Sequence, residues 1–175
     1  FFHKAMVEKR GYPDVEAMNA GLVYQWNSIV PHNGIVFHLG DVSFTGSAAT
    51  MGVLGQLHGA IHLVKGNHDS GLNGKLRNMF MSVQDYLEID VQEAPAVKQR
   101  IILNHYSHRV WNKHHYGSWH LYGHSHGSLP GIGKSMDVGV DTGNALTPYP
   151  YELIKYLMDI EKAHAIDHHR RMEVC

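Results

Sequence analysis

The sequence predicts an α/β fold, a mixed sheet core with helices outside, and three observations point to it. Strand-like and helix-like segments alternate through the first half of the chain, whereas paired strand-like runs follow in the second, which is the order expected of such a core. Four short β-branched or leucine-rich runs end within a residue or two on a metal-ligand type. Ile35 to Leu39 runs into Gly40-Asp41, and Ile61 to Val64 into Gly66-Asn67-His68-Asp69. Ile101 to Leu103 runs into Asn104-His105, and His120 to Tyr122 into Gly123-His124-Ser125-His126. Open α/β sheets place ligands just outside the carboxyl ends of their strands. Four such ends carrying Asp, Asn and His therefore predict one shared metal site.

Pro13-Asp14 gives a start signal for a helix from Asp14 to Val30, with Val15, Met18, Leu22, Trp26 and Ile29 repeating at three and four residues. Pro31-His32-Asn33-Gly34 ends it and turns into the first strand. Ser47 to Leu57 predicts a second helix, although Gly52 and Gly55 weaken it. Asn73 to Met81 predicts a short helix. Tyr86–Val91 and Val97–Leu103 predict a pair of strands joined by a tight connection. Residues 106–118 form a loop rich in His, Asn and aromatics. Strands are expected near 119–122 and 135–140, and a closing helix from Tyr151 to His164 with Leu153, Leu157 and Ile160 on one face. A solvated tail around His168–Arg171 completes the reading.

At 175 residues, 43% hydrophobic and 18% charged, the chain fits a single globular domain, residues 1–175. A formal charge of −1 without a long run of one sign does not advertise a sequence-independent grip on nucleic acid. Sixteen histidines exceed what packing requires, and neutral imidazole is the commonest metal ligand. The single cysteine, Cys175, rules out an intramolecular disulfide. That fits a reducing, cytoplasmic setting. No apolar stretch approaches the roughly 18 residues of a membrane span, and no signal peptide is visible.

Each candidate also has an ordinary reading. Asp41 suits a bridge between two cations, because each carboxylate oxygen can bind one, but Gly-Asp is equally common as a turn or helix cap. Asn67 offers an amide oxygen to a metal and His68 a proton to a leaving group, with Asp69 beside it to orient the imidazole. Alone, the tetrapeptide also reads as an Asx-type turn. His124 and His126 share a face in extended backbone, or are two exposed loop histidines. His105 in isolation reads as a hydrogen-bonded structural group.

The joint pattern of Asp41, Asn67-His68-Asp69, His105 and His124-Ser125-His126, in this order and each after a strand, resembles the calcineurin-like metallophosphoesterase family. The resemblance spans roughly residues 36–126, and its most specific parts are Gly66-Asn67-His68-Asp69 and Gly123-His124-Ser125-His126. It implies a four-layer αββα sandwich of mixed sheets with flanking helices, carrying two divalent transition metal ions. By resemblance, Asp41 bridges the metals, Asn67, His105 and His124 complete one site, and His126 ligates the other. His68, supported by Asp69, is the general acid or electrostatic partner. The family's first motif, Asp-x-His after the first strand, does not occur in these residues. Phe1-Phe2-His3-Lys4 is similar to the segment that follows it, so the motif and its strand are expected upstream of Phe1. Without them, one site keeps only Asp41 and His126, with His3 a doubtful substitute.

Such a pair of cations activates a bridging hydroxide at neutral pH and holds a phosphoryl group for in-line attack. Nitrogen and oxygen donors suit Mn, Fe, Zn, Ni or Co without choosing among them. The implied activity is hydrolysis of a small phosphomonoester or phosphodiester. A nuclease is the nearest rival, and a scaffold that keeps the fold without catalysis is a different class of answer. Arg109 and His115, in the loop between two ligand motifs, are weak nominees for substrate contact.

Overall fold

The computed structural model describes residues 1–72 and 74–160. Helix α1 (Val15–Ile29) is opened by Asp14, whose carboxylate accepts a hydrogen bond from the Ala17 amide at 2.7 Å, satisfying one of the donors a helix start leaves unpaired. Strand β1 (Ile35–His38), helix α2 (Ser47–Leu54), strand β2 (Ala60–Val64), the one-turn helix α3 (Gly74–Arg77) and strand β3 (Ser82–Gln84) follow. These three strands form a parallel sheet in the order β1-β2-β3. The hairpin of β4 (Leu87–Ala94) and β5 (Val97–Leu103) opens a second sheet, which β6 (Trp119–Tyr122) and β7 (Ser135–Asp137) complete in the order β4-β5-β6-β7. Only the β4–β5 pair is antiparallel, so this sheet is mixed. Helix α4 (Tyr151–Asp159) closes the described chain.

The two sheets form the predicted α/β sandwich. Alternation along a strand sends neighbouring side chains to opposite faces, and the packing follows it. On one face of the first sheet, Val36, Ile61 and Leu63 meet Trp26 and Val30 from α1 and its end, Leu54 of α2 and Leu76 of α3. On the other, Phe37, Leu39 and Val64 meet Ile101, Leu103, Trp119 and Leu121 of the second sheet, with Ile154 and Met158 of α4. The far face of the second sheet carries the buried His120 and Tyr122. There the 106–118 loop covers it, with the rings of His108 and Trp111 4.7 and 5.4 Å from that of His120. Among the described residues no helix is long and apolar enough to cross a membrane.

Several predicted elements are adjusted. Helix α2 stops at Leu54, where Gly55 begins a looser turn. The helix expected over 73–81 is only α3, and its last residues lead into β3, which pairs with β2. In α1 Ile29 is exposed. In α4 the buried pair is Ile154 and Met158, one residue out of phase with the expected face. The remainder of the predicted closing helix, and the tail, lie outside the described residues.

His120 supplies a test of this packing. Its Nε2 accepts from the His108 amide at 2.9 Å and its Nδ1 lies 3.1 Å from the Ile102 carbonyl. Both bonds are made by the neutral ring, and burial pushes its pKa down to about 4. An unfolded histidine titrates near 6.5, so the unfolded chain takes up the proton first as pH falls. The stabilisation is therefore complete above roughly pH 6.5 and is lost toward pH 4, amounting to on the order of 2–3 kcal/mol. Urea unfolding at pH 7 and pH 5 should show a smaller difference in His120→Gln than in the wild type; equal differences would contradict this assignment.

Candidate metal centre

The loops that follow β1 and β2 touch backbone to backbone. Gly40 has φ +94°, a conformation that favours glycine, and a Cβ there would stand 2.6 Å from both the Gly66 Cα and the His105 Nδ1. A Cβ at Gly66 would collide with the Asp41 carboxylate and stand 2.6 Å from the Asp41 amide. Asp69 fastens this contact. Its buried carboxylate accepts from the Asp41 amide (2.7 Å), the Gly66 amide (2.8 Å) and the Val42 amide (3.0 Å). Asp41 itself adopts φ +55°, and its Oδ1 accepts from the His68 amide at 2.9 Å.

The carboxyl ends of β5 and β6 supply the other half. His105 is buried, and its Nδ1 donates to the Leu39 carbonyl at 2.6 Å. That bond orients the ring and turns Nε2 toward three acceptors from separate segments: Asn67 Oδ1 at 3.1 Å, His124 Nδ1 at 3.2 Å and Asp41 Oδ2 at 3.4 Å. One ligand atom each from Asp41, His105 and His124 lies within 4.8 Å of the others. Burial works to raise the Asp41 pKa, but the His105 ring and the His68 amide hold it below the usual carboxylate range. Burial likewise opposes a charged His105, yet the Asp41 carboxylate and the Leu39 carbonyl leave its pKa raised. A carboxylate, an amide oxygen and two imidazoles gathered at one point can hold a metal ion, and the set suits first-row transition metals. The Leu39 carbonyl behind His105 is the kind of outer partner that fixes a ligating imidazole.

The structure thus brings together Asp41, Asn67, His105 and His124. His126 lines the same cavity as Asp41, His105 and His124, with its Nδ1 2.6 Å from Asp141 Oδ2. His124 and His126 have φ of +64° and +48°. Like Asp41, each therefore holds a backbone conformation costing on the order of 1 kcal/mol or more, of the sort that persists at functional sites. His68 is exposed, its ring centroid 4.6 Å from that of Phe44.

One expectation needs correction. Asp69 does not orient the His68 imidazole; both its oxygens are engaged by backbone amides, so its role is to set the loops. Arg109 is exposed beside His108, and His115 sits in a 3-10 turn with its ring against Tyr116. Three participants escaped the sequence reading. Tyr106 packs edge-on against His105 and His124 and donates to Asn67 Oδ1 at 3.4 Å. Asp141 and Arg10 pair beside His126. Asp141 follows a strand, as Asp41 does, and that signal could have found it. Arg10 has no comparable mark.

No family model matches the chain. It is 30% identical over 159 residues to an uncharacterized protein of Methanocaldococcus jannaschii, MJ1445, with 86% of this chain and 80% of that protein covered. The chain belongs to the family of MJ1445. A solved structure, the protein of unknown function AQ665 from Aquifex aeolicus, superposes with a TM-score of 0.66 at 19% identity, covering 90% of this chain and 94% of that one. This likeness shows a common fold.

The contact between Gly40 and Gly66 should be the most sensitive point of the site. Gly66→Ala is expected to lower stability by about 1–3 kcal/mol, the usual cost of overpacking, and to weaken uptake of Mn or Co by displacing Asp41. Calorimetric titration of the folded variant checks this; unchanged affinity would show that Asp41 does not contribute.

Proposed function

We propose that this protein is a metal-dependent phosphoesterase of the calcineurin-like kind, hydrolysing a phosphomonoester or phosphodiester with two divalent transition metal ions. The observation that carries the reading is the His105 Nε2, faced by oxygen and nitrogen acceptors from Asn67, Asp41 and His124. Acceptors converge on one point in this way where a cation is to be held. The motif order along the sequence and the α/β sandwich support the same reading. Bound there, paired cations would supply Lewis acidity toward the phosphoryl oxygens and a water deprotonated near neutral pH.

The chain's own residues would do the rest. Asp41, with one oxygen toward His105 and the other accepting from the His68 amide, is suited to serve two cations. The His68 backbone is tied to the metal-bearing carboxylate while its ring remains exposed on Phe44. It can then meet the oxygen leaving phosphorus and deliver a proton to it. Tyr106, against His105 and His124, forms part of the wall beside that position.

The second cation position would draw on His126 and on a further strand that we place along the free edge of β1. In the described sheet β1 pairs only with β2. Its other edge borders an apolar groove of about 540 Å³ between the sheets, lined by Phe37, Leu39, Leu103, Leu121, Val138 and Ile154. In that groove the buried His38 Nδ1 has no hydrogen-bond partner among the described residues. Unpaired strand edges and unpaired buried nitrogens both call for a partner. A strand preceding Phe1 and carrying an Asp and a His would supply it.

Purified protein with its natural N-terminal sequence should hydrolyse bis(p-nitrophenyl) phosphate in the presence of Mn. His68→Ala should lower turnover by about 10²–10⁴-fold while metal content, measured by elemental analysis, stays at the wild-type level. Turnover equal to wild type would remove His68 from the reaction, and a metal-replete wild type inert toward phosphate esters would refute the function.

A further inference from the structure

Arg10 and Asp141 lie 131 residues apart in sequence and form a two-pronged ion pair, Nε to Oδ1 at 2.7 Å and Nη2 to Oδ2 at 2.8 Å. Each side chain is only 6% exposed. Stability alone gives little reason for such a pair, because the cost of desolvating both charges offsets most of their attraction. The carboxylate has a third partner. Asp141 Oδ2, the oxygen already bound by Nη2, also faces His126 Nδ1 at 2.6 Å. A carboxylate can only accept, so the hydrogen on this bond belongs to Nδ1, and the His126 lone pair is left on Nε2. The guanidinium fixes the carboxylate, and the carboxylate fixes the tautomer and azimuth of the ring.

From this geometry we propose that Asp141, clamped by Arg10, is a positioning residue that dedicates the Nε2 of His126 to a cation in the cavity shared with Asp41. The inference rests on the two-metal reading above and deepens it. Carboxylate–imidazole–metal chains are a general means of orienting a ligand and raising its basicity, and here the chain continues to an arginine. His126 thereby acquires an outer partner as His105 does through the Leu39 carbonyl. Arg10 belongs to the N-terminal segment, where its amide bonds back to Met6 and its guanidinium touches Met18 Sδ at 3.7 Å. Met6 and Met18 belong to one small apolar cluster with Leu22. The second cation position therefore depends on how this segment packs.

Asp141→Asn separates a positioning role from a merely structural one. The amide must turn its oxygen to Arg10, which only donates, and so presents its NH₂ to His126. Nδ1 then becomes the acceptor and the proton moves to Nε2, which blocks the ligand. Nitrogen-15 NMR of the metal-free protein should show His126 as the Nδ1–H tautomer in the wild type and Nε2–H in Asp141→Asn. Titration with Mn should show the weaker of the two affinities falling by about 10–100-fold while the other stays within about twofold. Arg10→Lys, which keeps the charge but not the fork, should give a smaller loss in the same site and serves if Asp141→Asn does not fold. An Nε2–H tautomer in the wild type, a wild type that takes up one cation only, or two unchanged affinities in the variants would overturn the assignment. Two cations bound by the wild type, with one affinity lost selectively in the variants as described, in a protein inert toward phosphate esters, would instead sink the proposed activity and leave this positioning role standing.

Discussion

The carboxylate of Asp69 governs the geometry of this molecule's site. Two loops leaving adjacent parallel strands would ordinarily diverge, each carrying its own polar backbone. Here three amides, from Asp41, Val42 and Gly66, turn onto one buried side chain, and glycine at 40 and 66 removes the Cβ atoms that would keep the loops apart. Leaving a buried donor unpaired costs roughly 1–3 kcal/mol, so three donors sharing one acceptor group define the loop conformation tightly. Asp41 is driven into a left-handed backbone conformation by this arrangement, with its own carboxylate between the His68 amide and the His105 ring. The Asp41 carboxylate is thus placed by another acid, whose own oxygens are turned to backbone amides.

Parallel strand direction explains why residues so distant in sequence meet. In each sheet, β1 with β2 and β5 with β6 and β7 run the same way. Their carboxyl ends deliver Asp41, Asn67, His105, His124 and, beyond β7, Asp141. Inter-sheet packing of Phe37, Leu39 and Val64 against Ile101, Leu103 and Leu121 fixes one set of ends against the other. The bond from His105 to the Leu39 carbonyl ties the second sheet directly to the end of the first. Core burial and ligand convergence are therefore consequences of the same register.

Much of this was legible in the sequence because it rests on short-range patterning. Short runs of three to five residues marked most of the strands, and the residue types after them marked the cluster. What escaped was set by contacts between distant residues. β3 is three residues long and exists through pairing with β2. The face of α4 shifted by one residue because Ile154 and Met158, four apart, dock together on the inter-sheet core. Asp69 sits next to His68 in sequence, which invited a local pairing, whereas the backbone amides of another loop claim its oxygens. Asp141 offered only its place after a strand and Arg10 no mark at all, since only the folded chain sets them beside His126.

Whether Asp41, Asn67, His105 and His124 hold a cation together is tested most directly by anomalous diffraction from a crystal soaked in Mn. An anomalous peak should lie about 2.0–2.3 Å from the Asp41 carboxylate, the Asn67 amide oxygen, the His105 Nε2 and a ring nitrogen of His124. A peak confined to other residues, or none in that cluster at saturating Mn, would contradict this shared site.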